Sequence, residues 1–456
     1  MSLPGSFPRQ SIISLLRLAA GVLVGQLAII GFGVADTVML GRYADTANLA
    51  TLSLGQSIYV TMFVTLSGVT QALIPTFGRA YGAASPQLLS DAFRQGMWLA
   101  ATLCALGLVV LVWPDPLLQL TGNSHDPSVD RYLQILALGL PAALFFRVHT
   151  ALSQAIAKPL LVTLLQVAAL LLKLALNAVF LLPANFGLHH LPALGSTGCA
   201  IATVVTQWLL VGIAILQHQR SRTLRPYKAL RHWEWPDWAQ QRALWRLGGP
   251  IGLGLLVEVS AFTFMALFIA RLGDTQLAAH QIAANFATVL YMLPLSVSIA
   301  AASLVAQQLG AGHVSAARQA AWGGVGAAAL LSAGMGAMVW LERMRIIAWY
   351  TPDPGVQAVA SHLFVFIASY QVFDAVQACS AFVLRSYHIA SLPSVLYAFS
   401  LWGVGLGGGY VLAFNTLGIH APGFQGAAGF WMGNSSGLAL AAGSLAWLLW
   451  RVTRSP

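Results

Sequence analysis

The 456-residue sequence is poor in charge: Lys, Arg, Asp and Glu make up 8% of it, against roughly a quarter in ordinary soluble proteins. So few charges cannot cover the surface of a soluble chain of this length, which excludes the row of globular domains that length alone would suggest. Cysteine is scarce as well. Cys104, Cys199 and Cys379 stand apart within apolar runs, which excludes a disulfide framework and reads as small packing residues. The histidines never form an HExxH pair, and His189-His190 has no third ligand at zinc spacing. The run Gly403 to Gly409 lacks the Lys-Ser/Thr of a phosphate loop, so it reads as close helix packing and no ATP site is legible. With no convergent nucleophile, base or metal set, no cofactor is expected and an enzyme is set aside.

What is present is apolar sequence, 58% of the chain, arranged in long runs. Twelve runs are long enough for a hydrocarbon core about 30 Å thick: approximately 11–40, 48–77, 92–113, 131–156, 160–183, 195–217, 245–271, 277–308, 318–341, 356–384, 393–415 and 424–450. The fold class expected is an all-α integral membrane protein. The first run continues past a signal peptide's apolar core to Asp36 and is expected to stay as helix 1.

Basic residues orient the spans. With both termini in the cytoplasm, sixteen of the 23 Lys and Arg residues fall on that side, as the positive-inside rule requires. Five fall outside, and Arg147 and Lys173 lie within spans. The net charge of +10 is therefore topological and implies no nucleic-acid partner. The basic stretch Arg220 to Arg246, with Trp233, Trp235 and Trp238, reads as a cytoplasmic linker at the bilayer surface.

That linker sits near the midpoint of a faint internal repeat. A shift of 228 residues aligns Leu49-Ala50 with Leu277-Ala278, Gly82-Ala83 with Gly310-Ala311 and Gly96 with Gly324. Two pseudo-symmetric six-helix lobes follow, 1–218 and 245–456, joined by the linker 219–244, with the space between them as the natural substrate cavity.

Three acids fall inside apolar sequence: Asp36 in helix 1, Glu258 in helix 7 and Asp374 in helix 10. A central Asp costs about 2.5–3.5 kcal/mol on insertion scales, so each needs a reason, either exchange of a proton or metal cation or a satisfied contact between helices. Tyr370 and Gln377 share the face of Asp374. Asn177 in helix 5, and Gln281 and Asn285 in helix 8, can ligate a cation or bond a neighbouring helix. Pro294 should kink helix 8.

The stretch Ala279-His280-Gln281-Ile282-Ala283-Ala284-Asn285-Phe286, continuing to Met292-Leu293-Pro294-Leu295-Ser296, closely resembles the helix 8 signature of multidrug and toxic compound extrusion transporters, NorM branch. Val34-Ala35-Asp36-Thr37 before Gly41, Leu384-Arg385-Ser386-Tyr387 and Gly429-Phe430-Trp431-Met432-Gly433 are similar to other segments of that family. Gly21 and Leu181 depart from it, the first at a position where members often carry a proline and the second at one that some members fill with an acid.

The resemblance implies a twelve-helix, two-lobe exporter of the bacterial inner membrane, working as a monomer. It would exchange Na⁺ or H⁺ for amphipathic, often cationic drugs. It carries cation coupling onto Asp36, Glu258 and Asp374, with Na⁺ at Glu258 and Asp374, and makes Tyr370, Asn177 and Asn285 neighbours of the cavity or ion site. Tyr59, Met62, Tyr291 and Met292 are expected to offer soft packing and cation–π contact to substrates. The rival readings are a lipid-linked sugar flippase, a membrane-embedded enzyme and a nontransporting scaffold.

Overall fold

The computed structural model describes residues 9–114, 127–186, 193–221, 224, 234–418 and 422–454. Arg222, Arg225, Lys228, Arg231 and Trp233 of the basic stretch lie outside the described residues, as do His189-His190.

Among the described residues the regular structure is helical. Twelve long helices follow one another: α1 (Arg9–Tyr43), α2 (Thr46–Gly82), α3 (Pro86–Val112), α4 (Pro127–Ala155), α5 (Leu160–Leu181), α6 (Gly195–Arg220), α7 (Trp238–Ala270), α8 (Asp274–Gly310), α9 (Val314–Tyr350), α10 (Pro354–Ser386), α11 (Ser391–Ala413) and α12 (Ala427–Arg454). The first eleven are long and apolar enough to cross a membrane. The last is 28 residues long but diluted by Gly, Ser and Asn.

The repeat seen in the sequence reappears in the helix boundaries. α2 and α8 are both 37 residues long, and both ends of α8 lie 228 positions beyond those of α2. α3 and α9 start at Pro86 and Val314, the same distance apart. Asp45 caps α2 by accepting from the Asn48 backbone N–H at 2.9 Å, and Asp353 caps α10 through Gly355 and Val356 N–H at 2.7 and 3.1 Å. Ser85 and Asp353 are each followed by a proline at the first helical position, where the missing N–H is not needed.

The chain divides into two compact units: Val24–Gly252, and Leu253–Pro456 with the chain start up to Leu23. In the second, a continuous core joins Ile269, Ala283, Phe364, Ile367, Trp431 and Leu438. α8 runs unbroken through Pro294, and the hydroxyls of Ser296 and Ser298 donate to the carbonyls of Met292 and Pro294 at 2.6 and 2.7 Å.

The glycine run falls in α11, where Phe399–Gly408 is wound as a π-helix. It packs closely on α12. A Cβ on Gly433 would lie 2.5 Å from Gly409 N and 2.6 Å from Gly405 O, and one on Gly437 would lie 2.4 Å from Ser400 O, so the contact needs glycine. In the first unit, residues before α7 are fastened to α3. Trp98 Nε1 donates to the Glu234 carbonyl at 3.0 Å, its ring stacks on Trp235, and Arg94 lies 3.2 Å from the Glu234 carboxylate. α7 begins at Trp238, within the stretch expected as linker, and the Gln241 amide donates to Gln95 O at 2.9 Å.

Candidate functional site

Among the described residues each unit holds one buried acid cluster within its long helices, and the two are built differently. In the first unit α1 carries Asp36 and α5 carries Lys173 and Asn177, one helical turn apart on one face. Asp36 Oδ1 accepts from Lys173 Nζ at 2.9 Å and from Asn177 Nδ2 at 2.7 Å. The Lys173 side chain is 0% exposed and that of Asp36 7%. Nζ also donates to the Thr203 hydroxyl on α6 and stands 5.6 Å from the centroid of the Phe32 ring. The Cys199 thiol reaches the Asp36 carboxylate, and Tyr132 packs within its electrostatic range. Carboxylate, hydroxyl and ring face together satisfy an ammonium that would otherwise be very costly to bury. The formal charge of the Asp36–Lys173 pair is zero.

In the second unit Asp374 on α10 is 5% exposed and has Glu258 of α7 within electrostatic range. Tyr397 of α11 bonds the Glu258 carboxylate, and Arg385 of α10 lies near enough to interact with it. Arg385 is itself half-buried, with its guanidinium 4.1 Å above the Phe382 ring. Tyr370, one turn before Asp374, bonds Asn434 of α12, and its ring meets Trp431 edge-on at 5.7 Å. Tyr291 of α8 lies within electrostatic range of both acids. Two carboxylates against one guanidinium leave a formal charge of −1 among these groups. A small pocket beside the cluster is lined by Ala261, Phe262, Met265, Leu401, Gly405, Leu406 and Asn434.

The sequence-selected residues therefore divide. Asp36 and Asn177 meet in one cluster, and Glu258, Asp374 and Tyr370 in the other. Gln377 is buried on the Asp374 face. Gln281 and Asn285 are exposed on α8, away from its buried residues Ala279, His280, Ile282 and Ala283. Tyr59, Met62, Tyr291 and Met292 are all half-buried. Sequence reasoning did not assign four groups that the structure puts at the sites: Lys173, Arg385, Tyr397 and Asn434. For Lys173 the signal was available, since a lysine four residues before Asn177 inside an apolar run already marks a polar helix face. Also buried is Gln371, whose Oε1 has no donor while its amide donates to Ala287 O at 3.5 Å.

Twelve long helices in repeated order among the described residues, with acids buried in each half, define a multi-pass membrane protein of the parallel-repeat kind. The MatE family model matches residues 22–179 and again 250–411, once in each half, and the chain belongs to the MatE family. It is 37% identical to the probable multidrug resistance protein NorM of Aromatoleum aromaticum, over 99% of this chain and 97% of that one. It is 34% identical to the multidrug resistance protein PmpM of Pseudomonas aeruginosa, over 95% and 90% respectively. In fold it is similar to the eukaryotic MATE transporter AtDTX14, with a TM-score of 0.83 at 20% identity over 98% of this chain and 96% of that one. The Vibrio cholerae MATE transporter VcmN in its bent form gives a TM-score of 0.80 at 18% identity, covering 97% of each chain.

Proposed function

We propose that this protein is a secondary active multidrug exporter that exchanges Na⁺ or H⁺ for amphipathic, often cationic organic compounds by alternating access. It works as a monomer in the bacterial inner membrane with both termini in the cytoplasm, the orientation that gathers most of its basic residues there. Relatives named multidrug resistance proteins, at up to 37% identity over nearly the whole chain, support the substrate class.

The observation that carries the coupling is the charge imbalance around Asp374. Two acids share an apolar interior with one guanidinium, so the cluster gains by taking up one cation. Tyr397, which bonds Glu258, and Tyr370, which bonds Asn434, add neutral oxygens to the cluster. A bound ion drives the cycle only if its affinity differs between the inward- and outward-open states. The membrane potential adds about 2.3 kcal/mol per charge moved through 100 mV. A lipid-linked sugar flippase would need basic side chains free for its anionic substrate, and Lys173 is already engaged by Asp36.

The test is drug efflux from proteoliposomes under imposed Na⁺ or pH gradients, each varied alone. Gradient-driven efflux should occur in the parent and fall to background in Asp374→Asn. Efflux that keeps its full ion dependence in that variant would overturn the coupling role.

A further inference from the structure

We propose that Lys173 is a resident counter-cation. Its ammonium occupies the place beside Asp36 that an exchangeable ion would need, so the first unit offers no ion-exchange site and the coupling ion binds in the second unit alone. This deepens the exporter reading and rests on it for the word coupling, but the occupancy of Asp36 stands on geometry of its own.

Three features support the assignment. The ammonium is fully buried and meets Asp36 Oδ1 at 2.9 Å, the distance of a direct charge-assisted hydrogen bond. Its remaining surroundings suit an ammonium, with the Thr203 hydroxyl accepting a second hydrogen and the Phe32 ring face at 5.6 Å. Thr203 is held for that purpose, because its own hydroxyl hydrogen goes to the Cys199 carbonyl at 2.9 Å and leaves its lone pairs toward Nζ.

The donor set also fails for a second cation. Asp36 Oδ1 is taken by both Nζ and the Asn177 amide, and its carboxylate receives the Cys199 thiol as well. Asn177 Oδ1 is the one acceptor of the cluster, among the described residues, that is buried without a donor. One neutral oxygen and a carboxylate whose charge the ammonium already balances fall short of the several oxygens a hard metal cation requires. Leu181, one turn beyond Asn177 on α5, adds an apolar side chain where a further carboxylate would have changed the count.

The experiment reads ion binding as a shift in melting temperature of the purified full-length protein, with NaCl and pH varied independently. A bound ion raises the midpoint by on the order of 2 °C for each tenfold rise above its dissociation constant. Glu258→Gln/Asp374→Asn, which leaves the lysine pair untouched, should show no specific ion response. A response that persists there and disappears on adding Asp36→Asn would overturn the proposal. Adding Lys173→Met to that double variant should create an ion response that it lacks, and adding Asp36→Asn as well should abolish the response again. If the folded variant carrying Lys173→Met gains none, the ammonium is not standing in for an exchangeable ion and the proposal fails. Absence of gradient-driven efflux in the parent would sink the exporter reading instead, and leaves these binding results to decide the role of Lys173.

Discussion

The two acid clusters start from similar ingredients and end with different charge. In the first unit one carboxylate meets one fully buried ammonium, and the pair is neutral before any ion arrives. In the second, Asp374 and Glu258 lie within electrostatic range of each other, the Arg385 guanidinium acts on Glu258, and the formal count of these groups leaves one negative charge over. Repetition of the helices has not repeated the chemistry. The difference teaches that an acid inside a membrane helix is not by itself an ion site: what matters is whether the protein supplies the counter-charge from its own side chains.

The sharpest break of this contrast is Asp374→Asn, for which we expect loss of ion-driven efflux to background while the protein still folds. Next comes Lys173→Met, which leaves a buried carboxylate unpaired. Breaking one partner of such a pair costs roughly 3–5 kcal/mol. Its melting temperature should fall sharply, and Asp36→Asn added to it should restore most of the loss, the signature of a coupled pair in a double-mutant cycle.

Gly437→Leu tests the packing that holds Asn434 near Tyr370. With the new Cβ 2.4 Å from Ser400 O, overpacking should cost about 1–3 kcal/mol, seen as a lower melting temperature. Tyr397→Phe removes a hydrogen bond to Glu258 worth about 1 kcal/mol, which should change the ion concentration for half-maximal efflux roughly fivefold.

The smallest effect is expected at Asp45, outside the bilayer. Bonds from the Asn48 backbone N–H and side-chain amide hold its carboxyl below the usual carboxylate value. Its folded value is therefore the depressed one, so its capping contribution is present above the ordinary Asp range and is lost as pH falls through the lowered value. The acid-side melting curve of Asp45→Ala should lack that small component.

Much of this was legible beforehand because membrane constraints are strong. The length of each span, the offset between halves and the cost of Asp36, Glu258 and Asp374 all follow from apolar sequence in a bilayer of fixed thickness. Partners were harder. Tyr397 and Asn434 come from helices far along the chain, and nothing in local spacing brings them to Glu258 or Tyr370. Gln281 and Asn285 are selected by polarity, and α8 places both on its exposed side. An almost uniformly apolar helix gives little indication of which side faces inward. Lys173 was the readable exception, since its pairing with Asn177 follows the helical repeat.

The glycine-lined seam between α11 and α12 has a consequence for how the chain is made. α12 is the one long helix that falls short on apolarity, and its Gly433 and Gly437 lie in contact with the backbone of α11. On leaving the ribosome such a segment gains little from lipid alone. It should enter the bilayer as a hairpin with its predecessor, so that a bulky residue at Gly433 would weaken insertion of the last helix before any question of transport arose.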